Sequence, residues 1–151
     1  MPTTEPAASR QRWMSVLARA PERDLIALWD AFAAKPAFEW LRRPETGAVM
    51  VRGRMGGTGG PFNLGEMTVT RCSVQTDGGL VGHAYVQGRS QPKAEAAALI
   101  DALMQGGDAA RVEAEIVAPL ETGMTEKKQV QAAKAAATRV NFFTMARGED
   151  E

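Results

Sequence analysis

Apolar residues recur at helical spacing twice near the start of the chain. Trp13, Val16, Leu17 and Ala20 follow a 3.6-residue period from Ser9 onward. Pro21 suits the first position of a second helix, whose stripe is Leu25, Leu28, Trp29 and Phe32 and which Pro36 ends. The period then shortens to two. Phe38–Arg42 and Ala48–Arg54 predict two strands, separated by a Pro44-Glu45-Thr46-Gly47 turn signal. Glu66–Thr76 and Leu80–Gly88 predict two more, joined at the hairpin signal Asp77-Gly78. Helical spacing returns in Ala97, Ile100, Leu103 and Met104, behind a Ser90 cap and Pro92, and Gly106-Gly107 stops it. A shorter helix over Ala109–Val117 precedes Pro119, and a last helix starts at a Thr125 cap and reaches Arg139 or beyond. This order predicts an α+β fold: a four-stranded antiparallel β-meander flanked by N-terminal and C-terminal helices. Residues 1–8 read as a flexible N-terminal tail, and residues 9–151 as a single α+β domain.

Composition narrows the function more than the fold. Lys+Arg and Asp+Glu both number 18, so the formal net charge is zero, and no general attraction to nucleic acid or an anionic membrane is expected. A chain of zero net charge is prone to association. The opening MPTTEPAASRQR lacks the apolar core of a signal peptide, and no apolar run approaches a membrane span. Cys72 is the single cysteine, which excludes an internal disulfide and fits a cytoplasmic setting. One histidine and one cysteine are too few for the usual three or four ligands, so no metal site is expected in this chain alone.

The hairpin around Asp77-Gly78 sets the candidate chemistry. With those two residues as the turn, Cys72 falls opposite His83 and Thr70 opposite Tyr85. Met67, Val69, Ala84 and Val86 then share a core face, while Glu66, Thr70, Cys72, His83 and Tyr85 share a polar one. A histidine beside a cysteine lowers the thiol pKa, which makes Cys72 and His83 a weak catalytic candidate. A three-residue turn that included Gly79 would break this pairing. Arg71 lands on the core face, where it needs an acidic partner such as Glu95, an edge position or a different register.

Two further segments suggest an anion. The run Gly56-Gly57-Thr58-Gly59-Gly60, entered from Arg54, resembles a phosphate loop in composition. It lacks the lysine and the following helix of a nucleotide-binding loop, and it leads into a strand. A flexible strand connection and a loop that closes over a partner or ligand both remain open. Arg89 and Lys93 flank the entrance to the third helix, where free N–H groups and the positive dipole end favour an anion. A plain capped helix explains the same residues. Near the C-terminus, Phe142, Phe143 and Met145 suggest either an interface or a return onto the sheet.

The ordered pieces RQRWMSVLARA, PETGAVMVRGRMGGTG, PFNLGEMTVTRC, GHAYVQGR, AEAAALIDALMQ and TRVNFFTMARG resemble the PhnG family over about residues 10–148. The resemblance implies an accessory subunit of the bacterial carbon–phosphorus lyase core complex, with no autonomous activity. Such a complex joins an alkylphosphonate to ribose C1 of ATP and releases adenine. The implied partners are PhnH-, PhnI- and PhnJ-type subunits and a PhnL-type ATP-binding-cassette protein. PhnI-type subunits are associated with the nucleosidase chemistry, and PhnJ-type subunits with later radical cleavage of the carbon–phosphorus bond. ATP and phosphonate are then substrates of the complex, and this chain alone is expected to bind no cofactor. The residues fit that division of labour, because one cysteine is too few for an iron–sulfur cluster. The alternative is a small self-contained phosphate- or nucleotide-binding protein or enzyme that uses Arg89 and Lys93.

Overall fold

In the computed structural model, residues 5–139 are described, with side chains from Ser9 onward. Helix α1 spans Glu5–Arg19 and α2 spans Glu22–Ala31. Strands β1 (Phe38–Arg54), β2 (Pro61–Thr76) and β3 (Val81–Gln87) follow, then α3 (Gln91–Leu103), the short α4 (Ala109–Val112) and α5 (Ala118–Ala137). Among the described residues, no helix is long and apolar enough to cross a membrane.

The class is α+β as expected, but the sheet has three antiparallel strands in the order β1-β2-β3, not four. The expected break at Pro44-Glu45-Thr46-Gly47 is absorbed inside one 17-residue strand. Trp40 pairs with Val74, Arg42 with Ser73 and Glu45 with Arg71, so β1 carries one extra residue at each of two steps. These irregularities accommodate Pro44, which has no N–H for a ladder bond and sits on the outermost strand.

The β2–β3 register also differs from expectation, by one residue. Cys72 pairs with Ala84, Ser73 with His83, Arg71 with Tyr85 and Thr70 with Val86. The turn holds three residues, Asp77 to Gly79. The Thr76 N–H donates to the Leu80 carbonyl at 2.9 Å, and Gly79 takes φ +81°. A side chain at that φ is strained, so glycine there permits the longer loop. A one-residue slip exchanges the two faces of a strand. Thr70, Cys72, Val74, Ala84 and Val86 are therefore buried, while Arg71, His83 and Tyr85 face outward. This resolves the charge on Arg71, which is half-exposed and pairs with Glu45 at 3.2 Å.

Helix α3 lies at the centre. Its expected stripe of Ala97, Ile100, Leu103 and Met104 is buried, and so are Ala94, Ala96, Ala98, Leu99 and Ala102. A helix buried on nearly all sides is a core element, and here α1, α2, α4 and the sheet all pack on it. Its alanines allow close approach. A Cβ on Gly82 would stand 1.9 Å from the Ala98 carbonyl oxygen and 2.9 Å from the Ala102 Cβ. Glycine is thus required where β3 crosses α3.

The C-terminal helices also depart from expectation. A π-helical stretch, Glu113–Val117, links α4 to α5, and Pro119 sits in the first turn of α5. Pro119 lies just beyond the π-helical stretch, a local widening of the kind found where an intrahelical N–H partner is lost. Thr125 lies within α5 and donates its hydroxyl to the Glu121 carbonyl at 2.9 Å instead of capping a new helix. Leu120 is buried, whereas every residue from Thr125 to Arg139 is exposed.

Candidate functional site

The basic entrance to α3 is occupied from within. The Ser90 hydroxyl accepts from the Lys93 N–H at 3.1 Å and donates to Glu22 Oε1. Ser90 therefore caps the helix as expected, and it holds a Glu22 carboxylate oxygen beside the helix entrance. Lys93 is buried, and its Nζ donates to the Ala18 carbonyl at 3.1 Å and the Gln87 carbonyl at 3.5 Å. Burial lowers the Lys93 pKa, and nearby Glu22 partly offsets this. The ammonium thus fastens the end of α1 and the end of β3 to the start of α3. Arg89 alone of this group is exposed.

Cys72 and His83 are not cross-strand partners. Cys72 is buried under the sheet, and its thiol is pushed up to about 12, by burial first and by Glu95 second. A thiol in that state carries almost no thiolate at neutral pH. His83 is exposed, and its Nδ1 lies 2.8 Å from the Ser73 hydroxyl. Among the described residues, no group of three or more His, Cys, Asp or Glu is placed to hold a metal ion.

The glycine run closes a hairpin. Met55–Gly57 forms one 3₁₀ turn, with Gly56 at φ 60° and Gly57 at φ 83°. The Gly59 N–H donates to the Met55 carbonyl at 2.8 Å, and Arg54 Nη1 donates to the Gly59 carbonyl at 3.3 Å. The positive φ values are what the tight reversal demands.

Asp101 is the residue that sequence reasoning missed. It is fully buried on α3, and four donors converge on its carboxylate. Arg10 donates twice, Nε to Oδ1 at 3.2 Å and Nη2 to Oδ2 at 2.8 Å. Trp13 Nε1 donates to Oδ1 at 2.9 Å, and the His83 backbone N–H donates to Oδ2 at 2.9 Å. One carboxylate thus joins α1, α3 and β3, and its charge is compensated. Its partners lie 18 to 91 residues away in sequence, so no local pattern announces them.

Two surface features remain. An open groove of about 800 Å³ runs between α2, the irregular part of β1 and the start of α3. Trp29, Trp40, Lys35, Arg43, Asp30 and Glu95 line it, so both signs of charge are mixed there. The second feature is the far end of the β1–β2 hairpin. Strand β3 pairs with β2 from Val69 to Gln75 and the Gly88 N–H donates to the Thr68 carbonyl at 2.9 Å, so beyond Thr68, among the described residues, the two strands pair only with each other. Pro61 to Glu66 are all exposed on this ribbon.

The expected interface residues are spread over these surfaces. Glu66 is exposed on the ribbon, opposite Met50. Tyr85 is exposed beside Arg71 on the outer sheet face. Thr70 is fully buried and donates to the Gly88 carbonyl at 2.7 Å. Phe142, Phe143 and Met145 lie outside the described residues.

The described residues thus form a small α+β body whose internal polar groups are committed to holding the fold, with an exposed ribbon extending from it. The family described as "Phosphonate metabolism protein PhnG" matches residues 8–148. The chain belongs to this PhnG family of phosphonate metabolism proteins. It is 47% identical over 147 residues to the alpha-D-ribose 1-methylphosphonate 5-triphosphate synthase subunit PhnG of Rhizobium meliloti (strain 1021), covering 95% of this chain and 92% of that relative.

Proposed function

We propose that this chain is an accessory subunit of a synthase that transfers an alkylphosphonate to ribose C1 of ATP and releases adenine. In this reading ATP and phosphonate occupy sites completed by PhnH-, PhnI- and PhnJ-type subunits, with a PhnL-type ATP-binding-cassette protein acting alongside. The chain supplies surface and structure, and it binds neither substrate by itself. The observation that carries this is near full-length similarity to a protein named as a subunit of that synthase. The local chemistry supports it. Cys72 is held as a neutral thiol, Lys93 is spent on carbonyls and Asp101 is spent on Arg10, Trp13 and His83.

The test is adenine release from ATP plus methylphosphonate, followed by chromatography. The expected result is none from the purified chain, and release when it is co-expressed with the other subunits of the synthase. Comparable turnover by the isolated chain overturns the reading.

A further inference from the structure

The ribbon beyond Thr68 has two chemically different faces. Along β1, Val49, Val51 and Gly53 are half-buried and alternate with exposed Ala48, Met50, Arg52 and Arg54. Met67 pairs with Val49, so the two share a face. Phe62 pairs with Gly53, and its ring atoms lie 3.5 Å from where a Gly53 Cβ would stand, with Leu64 Cβ at 4.0 Å. Val49, Val51, Phe62, Leu64 and Met67 therefore form one apolar face. Among the described residues no helix or third strand covers it, and Leu64 is 67% exposed, Phe62 40% and Met55 at the tip 73%. The opposite face carries Arg52 and Arg54, neither of which has an ion-pair partner among the described residues.

An isolated two-stranded hairpin is marginal in water, and a contiguous exposed apolar face marks an interaction site. We propose that this ribbon is a docking arm, and that its occupant is another subunit of the same synthase, presenting an apolar surface rimmed by carboxylates. The apolar face supplies the buried centre. Arg52 and Arg54, which have no ion-pair partner among the described residues, supply the charge that selects an acidic rim. A second copy of this chain is the less suitable occupant, because the arm's charged residues are two arginines against one acid, Glu66, and like arms would bring arginines together.

This inference rests on the subunit reading, and the test separates the two. The full chain is co-expressed with the remaining synthase subunits, as wild type, as Phe62→Glu/Leu64→Glu and as Arg52→Glu/Arg54→Glu. Affinity for the assembled remainder is then measured. The apolar-face variant is expected to bind at least about 100-fold more weakly. The arginine variant is expected to associate more slowly, with a weaker dependence on salt. Circular dichroism and thermal melting check that each variant stays folded. Should the glutamate pair disturb folding, Phe62→Ala/Leu64→Ala provides the same readout. Unchanged affinity in the apolar-face variants removes the docking arm while leaving the subunit reading intact. A wild-type chain that ignores the other subunits removes both. A stable wild-type homodimer that the ribbon substitutions dissociate assigns the face to a second copy and overturns the proposal.

Discussion

The α3-centred body and the β1–β2 ribbon are built from the same chain by opposite rules. In the body almost every side chain of α3 is buried, and Asp101 and Lys93 are fully partnered. In the ribbon beyond Thr68, Met50, Met55, Phe62 and Leu64 are exposed, and among the described residues the strands pair only with each other. The body is complete by itself, and the ribbon is complete only against something else. The difference assigns stability to one region and association to the other, so substitutions in each are expected to affect different measurements.

The largest loss of stability is expected at Asp101. Asp101→Ala leaves the Trp13 Nε1–H and the His83 N–H unpartnered inside the core and frees the Arg10 charge. Urea denaturation is expected to show a loss of about 3–5 kcal/mol. A loss below about 1 kcal/mol would mean that the carboxylate does not organise the body. Gly82→Ala follows. Its new methyl would meet the Ala98 carbonyl, so β3 and α3 must separate. The expected cost in the same measurement is about 3 kcal/mol.

Both residues explain why part of the design escapes the sequence. Helix stripes are local, so the core positions Trp13, Val16, Leu17, Leu25 and Ile100 are legible in the sequence. The Asp77-Gly78 signal also located a true hairpin, but not its loop length. Gly79 at positive φ added one residue and turned Cys72 inward and Arg71 outward. Pro44 and Gly47 resemble a turn, and only the pairing with β2 shows that the strand runs through them with irregular register. Asp101 and Lys93 read as ordinary helix polar residues because their partners come from other elements. The ribbon's docking face was invisible for a related reason. The sequence shows apolar residues on both strands, but exposure depends on where β3 stops.

A smaller effect separates the regions by pH. An unfolded cysteine ionises near about 8.5, whereas the folded Cys72 thiol is pushed up to about 12. The folded pKa is raised, so the stability from keeping this thiol neutral is full below about 8.5 and is lost as pH rises towards 12. Wild type is therefore expected to lose stability relative to Cys72→Ala above that point, by up to about 1.4 kcal/mol per pH unit. Urea titrations of both proteins at several alkaline pH values check this, and parallel curves would argue against a sequestered thiol. The lowered pKa of Lys93 acts in the opposite direction, but it is common to both proteins and drops out of the difference. The least change in stability is expected for Leu64→Glu, within about 0.5 kcal/mol, because that side chain is mostly exposed. Denaturation of this variant sharpens the contrast with its expected loss of assembly.

Hydrogen–deuterium exchange on the free chain and on the assembled synthase tests the division most directly. The account predicts that amides between Ala48 and Met67 exchange at least about tenfold more slowly after assembly, while those of Ala94–Leu103 keep their rates. Equal exchange along the ribbon in both states, with protection gained elsewhere on the chain, would contradict it.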